Sequence, residues 1–148
     1  MNAMTNKNHY RALETMYKAA PINDIFPPEV TISEGAAEIS IAVKPDYFHA
    51  AGAMHDSVYF KLLDDSAFFA AASMEEEVFV LTTSFTTYLT RPVSAGRVRA
   101  VGKVVNANKS QFIAESVLYD DEGREIARGN GIFVRSKNKL ADIASYKL

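Results

Sequence analysis

Residues 56–74 have the sequence DSVYFKLLDDSAFFAAASM, which contains neither glycine nor proline and is rich in leucine, alanine and phenylalanine. This composition predicts one long α-helix. Its apolar residues occupy most of the helical circumference, so we expect other structure to cover the helix nearly all round. Asp56 or Ser57 is the expected N-cap, because a side-chain oxygen there can accept a free backbone N–H of the first turn.

The segments on both sides of this helix predict a sheet that can provide such a cover. Alternating or β-branched runs separated by turn residues predict two strands before the helix and four after it. These strands are residues 30–33, 38–43, 78–90, 98–105, 112–119 and 125–134. Short turns join most of them, which favours antiparallel neighbours. Residues 5–20 carry apolar side chains at helical spacing and precede Pro21, so they predict an amphipathic lead-in helix.

One helix wrapped by a curved antiparallel sheet is the hotdog architecture, an α+β fold. We expect a single hotdog domain over residues 1–148, with the lead-in helix at 5–20, the core at 29–136 and a polar, poorly ordered tail at 137–148. Gly129 and Gly131 fall on one face of the last strand, where missing side chains allow close approach of the helix or a ligand, or else mark a bulge.

Composition excludes several functional classes. The chain has 148 residues, which fits one domain. Its lack of cysteine excludes disulfides, thiolate metal sites and cysteine nucleophiles. A formal net charge of -2 argues against nucleic-acid binding. No apolar run approaches the ~20 residues that a bilayer span needs, and no secretory signal is visible, so we expect a cytoplasmic protein.

Two adjacent aspartates on the helix are expected to lie in different environments. At about 100° per residue, Asp64 shares its face of the helix with apolar side chains. These are Phe60, Ala67, Phe68 and Ala71. Desolvation raises the pKa of such a carboxyl, which suits a general base; a helix-edge carboxylate bonded to a nearby hydroxyl is the structural alternative. Asp65 lies on the side of Lys61, where an i,i+4 ion pair can form near solvent.

Residues 49–57, HAAGAMHDS, resemble the signature of the acyl-CoA thioesterases of the hotdog superfamily, in particular the phenylacetate-pathway (PaaI-like) and 4-hydroxybenzoyl-CoA thioesterases. The family pattern is Asn-x-x-Gly-x-x-His-Gly-Gly, with an acidic residue nine positions after the histidine. Here Asp64 stands nine positions after His55. His49 replaces the asparagine, and an aspartate and a serine replace the two glycines. The resemblance extends over residues 36–135.

The resemblance implies catalytic roles for four residues. The carboxylate of Asp64 acts as nucleophile or as general base for water, and the backbone N–H of Asp56 polarises the thioester carbonyl. His49 orients the water or the thioester oxygen, and Thr83 supplies a hydroxyl. Strand alternation lets only one of Thr82 and Thr83 face inward, and the sequence does not decide which one does.

The resemblance also implies a substrate-binding set at the loop, the helix start and the end of a strand. These residues are Gly52, His55, Ser57, Thr82 and Arg91. Further candidates for contacts with the phosphates of coenzyme A are Arg128, Arg135 and Lys137. A metal site built from His49, His55, Asp56 and Asp64 matches no known ligand spacing, so we expect neither a metal nor another cofactor.

The expected function is hydrolysis of an acyl-CoA, R–CO–S–CoA, to the acid and the free thiol. The resemblance implies a homodimer or homotetramer with each site at a subunit interface. Residues 78–90 and 98–105 also favour an oligomer, because they would otherwise present open apolar edges and faces. No nucleic acid or membrane partner is expected. One alternative is a non-catalytic acyl-CoA-binding or regulatory protein on the same fold, which the departures at positions 49, 56 and 57 favour. Another is a hotdog hydratase or dehydratase, which needs His49 and Asp64 near one carbon.

Overall fold

The predicted central helix is present, and every strand of the sheet contacts it. The computed structural model describes residues 3–148, with side chains from residue 6 onward. We name the helices and strands of this part of the chain in order. Their bounds are Ala3–Ala19 (α1), Glu29–Ser33 (β1), Ala36–Ala42 (β2), Asp56–Ala72 (α2), Val78–Leu89 (β3), Arg97–Ala107 (β4), Phe112–Tyr119 (β5) and Glu125–Lys139 (β6). Short 3-10 helices lie at Pro21–Asp24, Pro45–Tyr47 and Leu140–Asp142.

The strands form one antiparallel sheet in the order β1-β2-β4-β5-β6-β3. α2 packs most closely against β4, β5 and β2 and also contacts the three other strands. Leu62, Leu63 and Ala67 of this helix are completely buried. The sheet around α2 is the predicted α+β hotdog arrangement, and α1 is the predicted helix that precedes it in the chain. No helix within residues 3–148 is long and apolar enough to cross a membrane.

Gly102 of β4 allows α2 to lie directly on the sheet. A Cβ atom at this position would be 2.2 Å from the carbonyl oxygen of Ser66. The helix does not make the expected close approach at Gly129 and Gly131, because a Cβ at either position would lie 2.5 Å from the ring of Phe85 on the neighbouring strand β3. The two glycines therefore make room for an aromatic side chain of the sheet itself.

β3 is one of the two edge strands of the sheet, with β1 at the other edge, and β4 is not an edge strand. The prediction of an open edge at residues 98–105 is wrong, because β4 is paired on both sides, with β2 and with β5. β3 pairs with β6 alone among the described strands. Leu81, Tyr88 and Leu89 on this strand are 44%, 56% and 43% exposed. A long edge strand with exposed apolar side chains is a surface that another chain can pair with.

The prediction of a poorly ordered tail from residue 137 is also wrong. β6 continues to Lys139, and Leu140 and Tyr146 beyond it are buried. The hydroxyl of Tyr146 lies 2.6 Å from Nδ1 of the buried His9, whose Nε2 lies 2.9 Å from the carbonyl oxygen of Ala72. Because a carbonyl only accepts, Nε2 carries a proton and donates it. The tail thereby fastens α1 to the end of α2.

Candidate active site

Asp64 lies on the face of α2 that is turned toward β3, where a hydroxyl meets it. Thr82 Oγ1 donates a hydrogen bond to Oδ1 of Asp64 at 2.9 Å. Both side chains are half-buried. The apolar surroundings expected from helical spacing are present, since Phe68 lines the same pocket as Asp64. Asp64 is thus a partly desolvated carboxylate held by a hydroxyl.

Burial raises the pKa of the Asp64 carboxyl to about 6, from an ordinary value of 3.8. Desolvation is the largest cause, and the hydrogen bond from Thr82 opposes it. The charge of Asp65 raises this pKa further, and the charge of Lys61 lowers it. Asp64 is therefore mostly ionised at neutral pH and is still a stronger proton acceptor than a solvated aspartate, which suits a general base.

A largely apolar pocket of about 400 Å³ lies beside Asp64. α1 and the 3-10 helix Pro21–Asp24 form one wall, α2 forms the second and β3 forms the third. Its apolar lining includes Met16, Ile22, Phe68, Phe79 and Leu81. Small-molecule sites commonly combine such a lining with a few convergent polar groups. The pocket can therefore hold an apolar part of a substrate next to the carboxylate.

A β-bulge decides which of the two candidate threonines faces the helix. The pairing of β3 with β6 shifts register between Thr82 and Ser84, so Thr83 is the extra residue. Thr82 bonds to Asp64, whereas the Thr83 hydroxyl donates to the carbonyl of Ile132 at 3.2 Å. The structure therefore brings Thr82, expected in substrate binding, to Asp64, and it leaves Thr83, expected in catalysis, exposed and bonded to the backbone of β6.

The motif that resembles the thioesterase signature forms a tight loop before α2. Gly52 has a φ of +84°, in the region that favours glycine, and its N–H donates to the carbonyl of His49 at 3.0 Å. Nδ1 of the His49 ring accepts the N–H of Ala51 at 3.0 Å. The ring is thus engaged by its own loop. Within the described residues of this one chain, His49 is not part of the lining of the Asp64 pocket.

His55 is the N-cap of α2, so the prediction of Asp56 or Ser57 is wrong. Nδ1 of His55 accepts the N–H of Ser57 at 3.0 Å and lies 2.8 Å from its hydroxyl oxygen. Residue 55 takes this role because its backbone is extended and the helix already begins at residue 56. Asp56 is the exposed first residue of the helix, and none of the hydrogen bonds of residues 3–148 uses its N–H.

Two of the basic candidates for phosphate contacts are already bonded to glutamate side chains. Arg128 donates two hydrogen bonds to Glu125, at 2.8 and 2.6 Å, and Arg135 donates to Glu75 at 2.6 Å. Arg91 is exposed and follows the end of β3.

Within residues 3–148 no group of three or more His, Asp or Glu side chains is arranged to hold a metal ion.

A polar network in the wall of the pocket could not be predicted from the sequence. The predicted ion pair between Lys61 and Asp65 is confirmed at 2.6 Å, and its side chains are 12% and 20% exposed. The hydroxyl of Tyr17 donates to Asp65 at 2.6 Å, and Lys61 donates to Asn23 at 2.7 Å. The helical spacing of Tyr17 on α1 was visible in the sequence, but the contact across 48 residues was not.

Comparison with known proteins agrees with this fold. A model of the thioesterase superfamily matches residues 51–127, just over half of the chain. No curated protein matches the chain in sequence.

Three solved structures illustrate the structural likeness. The PaaI protein of E. coli, from the phenylacetic acid degradation operon, has a TM-score of 0.81 and 14% identity, and the match covers 90% of this chain and 97% of that chain. A conserved protein of Pseudomonas aeruginosa has a TM-score of 0.75 and 20% identity, with 80% and 96% covered. A thioesterase of Staphylococcus aureus, solved as a variant, has a TM-score of 0.73 and 16% identity, with 76% and 96% covered.

Proposed function

We propose that this chain, which belongs to the thioesterase superfamily, hydrolyses an acyl-CoA thioester to a carboxylic acid and free coenzyme A. One observation carries the proposal. The carboxylate of Asp64 is partly buried, accepts a hydrogen bond from Thr82 and borders an apolar pocket of about 400 Å³. A carboxylate of raised basicity next to an apolar cavity suits an acyl group whose carbonyl must be attacked.

Asp64 supports two related mechanisms. As a general base, its carboxylate takes a proton from water while the water oxygen forms a bond to the thioester carbon. The tetrahedral intermediate then collapses, the C–S bond breaks, and the thiolate of coenzyme A leaves and takes a proton. As a nucleophile, the carboxylate itself bonds to the carbon, the C–S bond breaks and the thiolate of coenzyme A leaves. Water then hydrolyses the resulting mixed anhydride, which releases the acid and restores the Asp64 carboxylate. Both routes need Asp64 ionised, and in both the Thr82 hydroxyl fixes the position of one carboxylate oxygen.

The geometry of α2 argues that two copies of the chain form each complete site. The N–H of Asp56 is the expected donor to the carbonyl oxygen, but Asp56 precedes Asp64 by eight residues. A helix rises about 1.5 Å per residue, so the two positions are roughly 12 Å apart along its axis. One thioester cannot contact both within one chain, since the donor must approach its oxyanion to about 3 Å. Pairing of two chains at the open edge of β3 is the proposed solution, in a homodimer or homotetramer.

A second candidate function is acyl-CoA binding without hydrolysis. The ring of His55 accepts the hydrogen bond of the Ser57 N–H, and the exposed residue Asp56 places a carboxylate at the start of the helix. Both features reduce the capacity of the helix start to hold a developing oxyanion. The hydratase alternative has less support, because His49 is held by the N–H of Ala51 and does not line the pocket of Asp64 within the described part of one chain.

Thiol release and binding, measured together, distinguish an enzyme from a binder. The purified protein is incubated with acyl-CoAs of different acyl size, free thiol is quantified, and binding of each ligand is measured by calorimetry. We expect thiol release by the parent and by Asp142→Asn, a matched change of an exposed aspartate. Asp64→Asn should release it at least about 100-fold more slowly while still binding ligand. Binding without thiol release by the parent would instead support the non-catalytic function.

A further inference from the structure

The ammonium group of Lys61 lies in the wall of the pocket, and protein oxygens take all of its hydrogen bonds. Its nitrogen donates to Asp65 Oδ2 at 2.6 Å, to Asn23 Oδ1 at 2.7 Å and to the hydroxyl of Tyr17 at 3.2 Å. A lysine has three N–H donors, so these oxygens satisfy all of them. The partners come from α2, the 3-10 helix Pro21–Asp24 and α1. Lys61 thus joins three elements at one point and has no donor left for a ligand.

The oxygen partners of Lys61 are themselves bonded to one another. The hydroxyl of Tyr17 donates to Asp65 at 2.6 Å, and the amide of Asn23 donates to the carbonyl of Tyr17 at 2.7 Å. The nitrogen of Lys61 also lies 5.1 Å from the centre of the Tyr17 ring. Closed buried networks of this kind fix geometry, because losing one member leaves its partners unsatisfied.

This network is in contact with the reacting group through the helix itself. Asp65 follows Asp64 directly, and Lys61 precedes Asp64 by three residues, which is about one turn. The titratable groups that line the pocket with Asp64 are Lys61 and Asp65 from α2 and Tyr17 from α1. β3 contributes the hydroxyl of Thr82 to the described lining, and the 3-10 helix contributes the neutral amide of Asn23.

We propose that Lys61 and Asp65 are positioning residues of the thioesterase site: they hold α1 and the Pro21–Asp24 helix as the substrate-facing wall and balance opposite charges beside Asp64. The proposal rests on the proposed function for its catalytic consequence. The two roles themselves, holding the wall and balancing charge, are inferred from the contacts of the two side chains. The N–H donors of Lys61 are all used within the protein, so the two residues act through Asp64 and through the shape of the pocket.

The test compares Lys61→Met, Asp65→Asn and the double variant, with Lys18→Met as a matched control on the exposed face of α1. The pKa of Asp64 is measured by 13C NMR titration of labelled aspartate, which needs no turnover. We expect Asp65→Asn to lower this pKa and Lys61→Met to raise it, each by about one unit, the scale of a charge within about 6 Å. The double variant and Lys18→Met should titrate close to the parent.

The acid limb of kcat/KM should move in the same directions if the proposed function is correct. A purely structural role would lower the unfolding temperature of both single variants without moving the pKa of Asp64 in opposite directions. The proposal would be overturned if the pKa of Asp64 shifted in the same direction in both single variants, or in neither of them. The double variant removes both charges and so remains informative if Lys61→Met fails to fold. Opposite NMR shifts without any thioester hydrolysis would refute the proposed function alone.

Discussion

Replacing Asp64 by asparagine should stabilise the protein at neutral pH while it abolishes hydrolysis. Asparagine keeps an oxygen that can accept the hydrogen bond of Thr82, and it removes the charge. The folded pKa of about 6 lies above the ordinary value of 3.8, so the protonated carboxyl favours the fold. That stabilisation is complete below the unfolded pKa and is lost as the pH rises through about 6.

The size of the effect follows from the two pKa values. They differ by about two units, and each unit corresponds to about 1.4 kcal/mol, so full burial would give about 3 kcal/mol. Asp64 borders an open pocket and is only half-buried, and solvent screening therefore reduces the expected value to about 1–2 kcal/mol. For a domain of this size, that gain raises the unfolding temperature by about 3–6 °C.

Urea unfolding of parent and Asp64→Asn at one fixed protein concentration measures this difference. We expect the variant to be more stable by about 1–2 kcal/mol near pH 7.5 and to differ by only a few tenths near pH 4, where the parent carboxyl is protonated when folded. Asp142→Asn, which changes an exposed aspartate remote from the pocket lining, is the matched control. The reasoning would be refuted if Asp64→Asn were less stable than the parent at neutral pH, or if its free energy of unfolding differed from that of the parent by the same amount at both pH values.

Three further predictions follow from single contacts. Thr82→Val should raise the pH midpoint of hydrolysis and slow hydrolysis more than Thr83→Val does, because only Thr82 bonds to Asp64, the proposed catalytic carboxylate; equal effects in a pH–rate assay would contradict this. Gly102→Ala should destabilise the fold by about 1–3 kcal/mol or more in thermal unfolding, since its Cβ would clash with the backbone of α2. Tyr146→Phe should cost about 1 kcal/mol by leaving buried His9 without a hydrogen bond at Nδ1; an unchanged unfolding temperature would argue against a packed tail.

The elements of the fold could be predicted because their signals are local. The apolar run of α2 and the alternation of the strands indicate helix and strand without knowledge of the partner. The sequence does not indicate the end of β6, because residues 135–139 are polar and only their pairing with β3 makes them a strand. The helix cap was missed because histidine is not among the side chains usually preferred at that position.

The site was predictable where helix geometry alone decides it. One turn of helix suffices to place Asp64 among apolar side chains and Lys61 next to Asp65. The choice between Thr82 and Thr83 depends on a bulge, which inverts the alternation of β3 and leaves no local pattern. The wall formed by α1 depends on contacts such as that of Tyr17 with Asp65, which join residues far apart in sequence.

The pH dependence of thioester hydrolysis tests the central claim most directly. kcat/KM is measured on one acyl-CoA from about pH 4.5 to about pH 8.5, for the parent and for Asp64→Asn. A catalytic carboxylate with the pKa of Asp64 predicts a rising limb with a single-proton slope and a midpoint near 6, and loss of this activity in the variant. Hydrolysis by Asp64→Asn at the parent rate, with the same limb, would contradict the account.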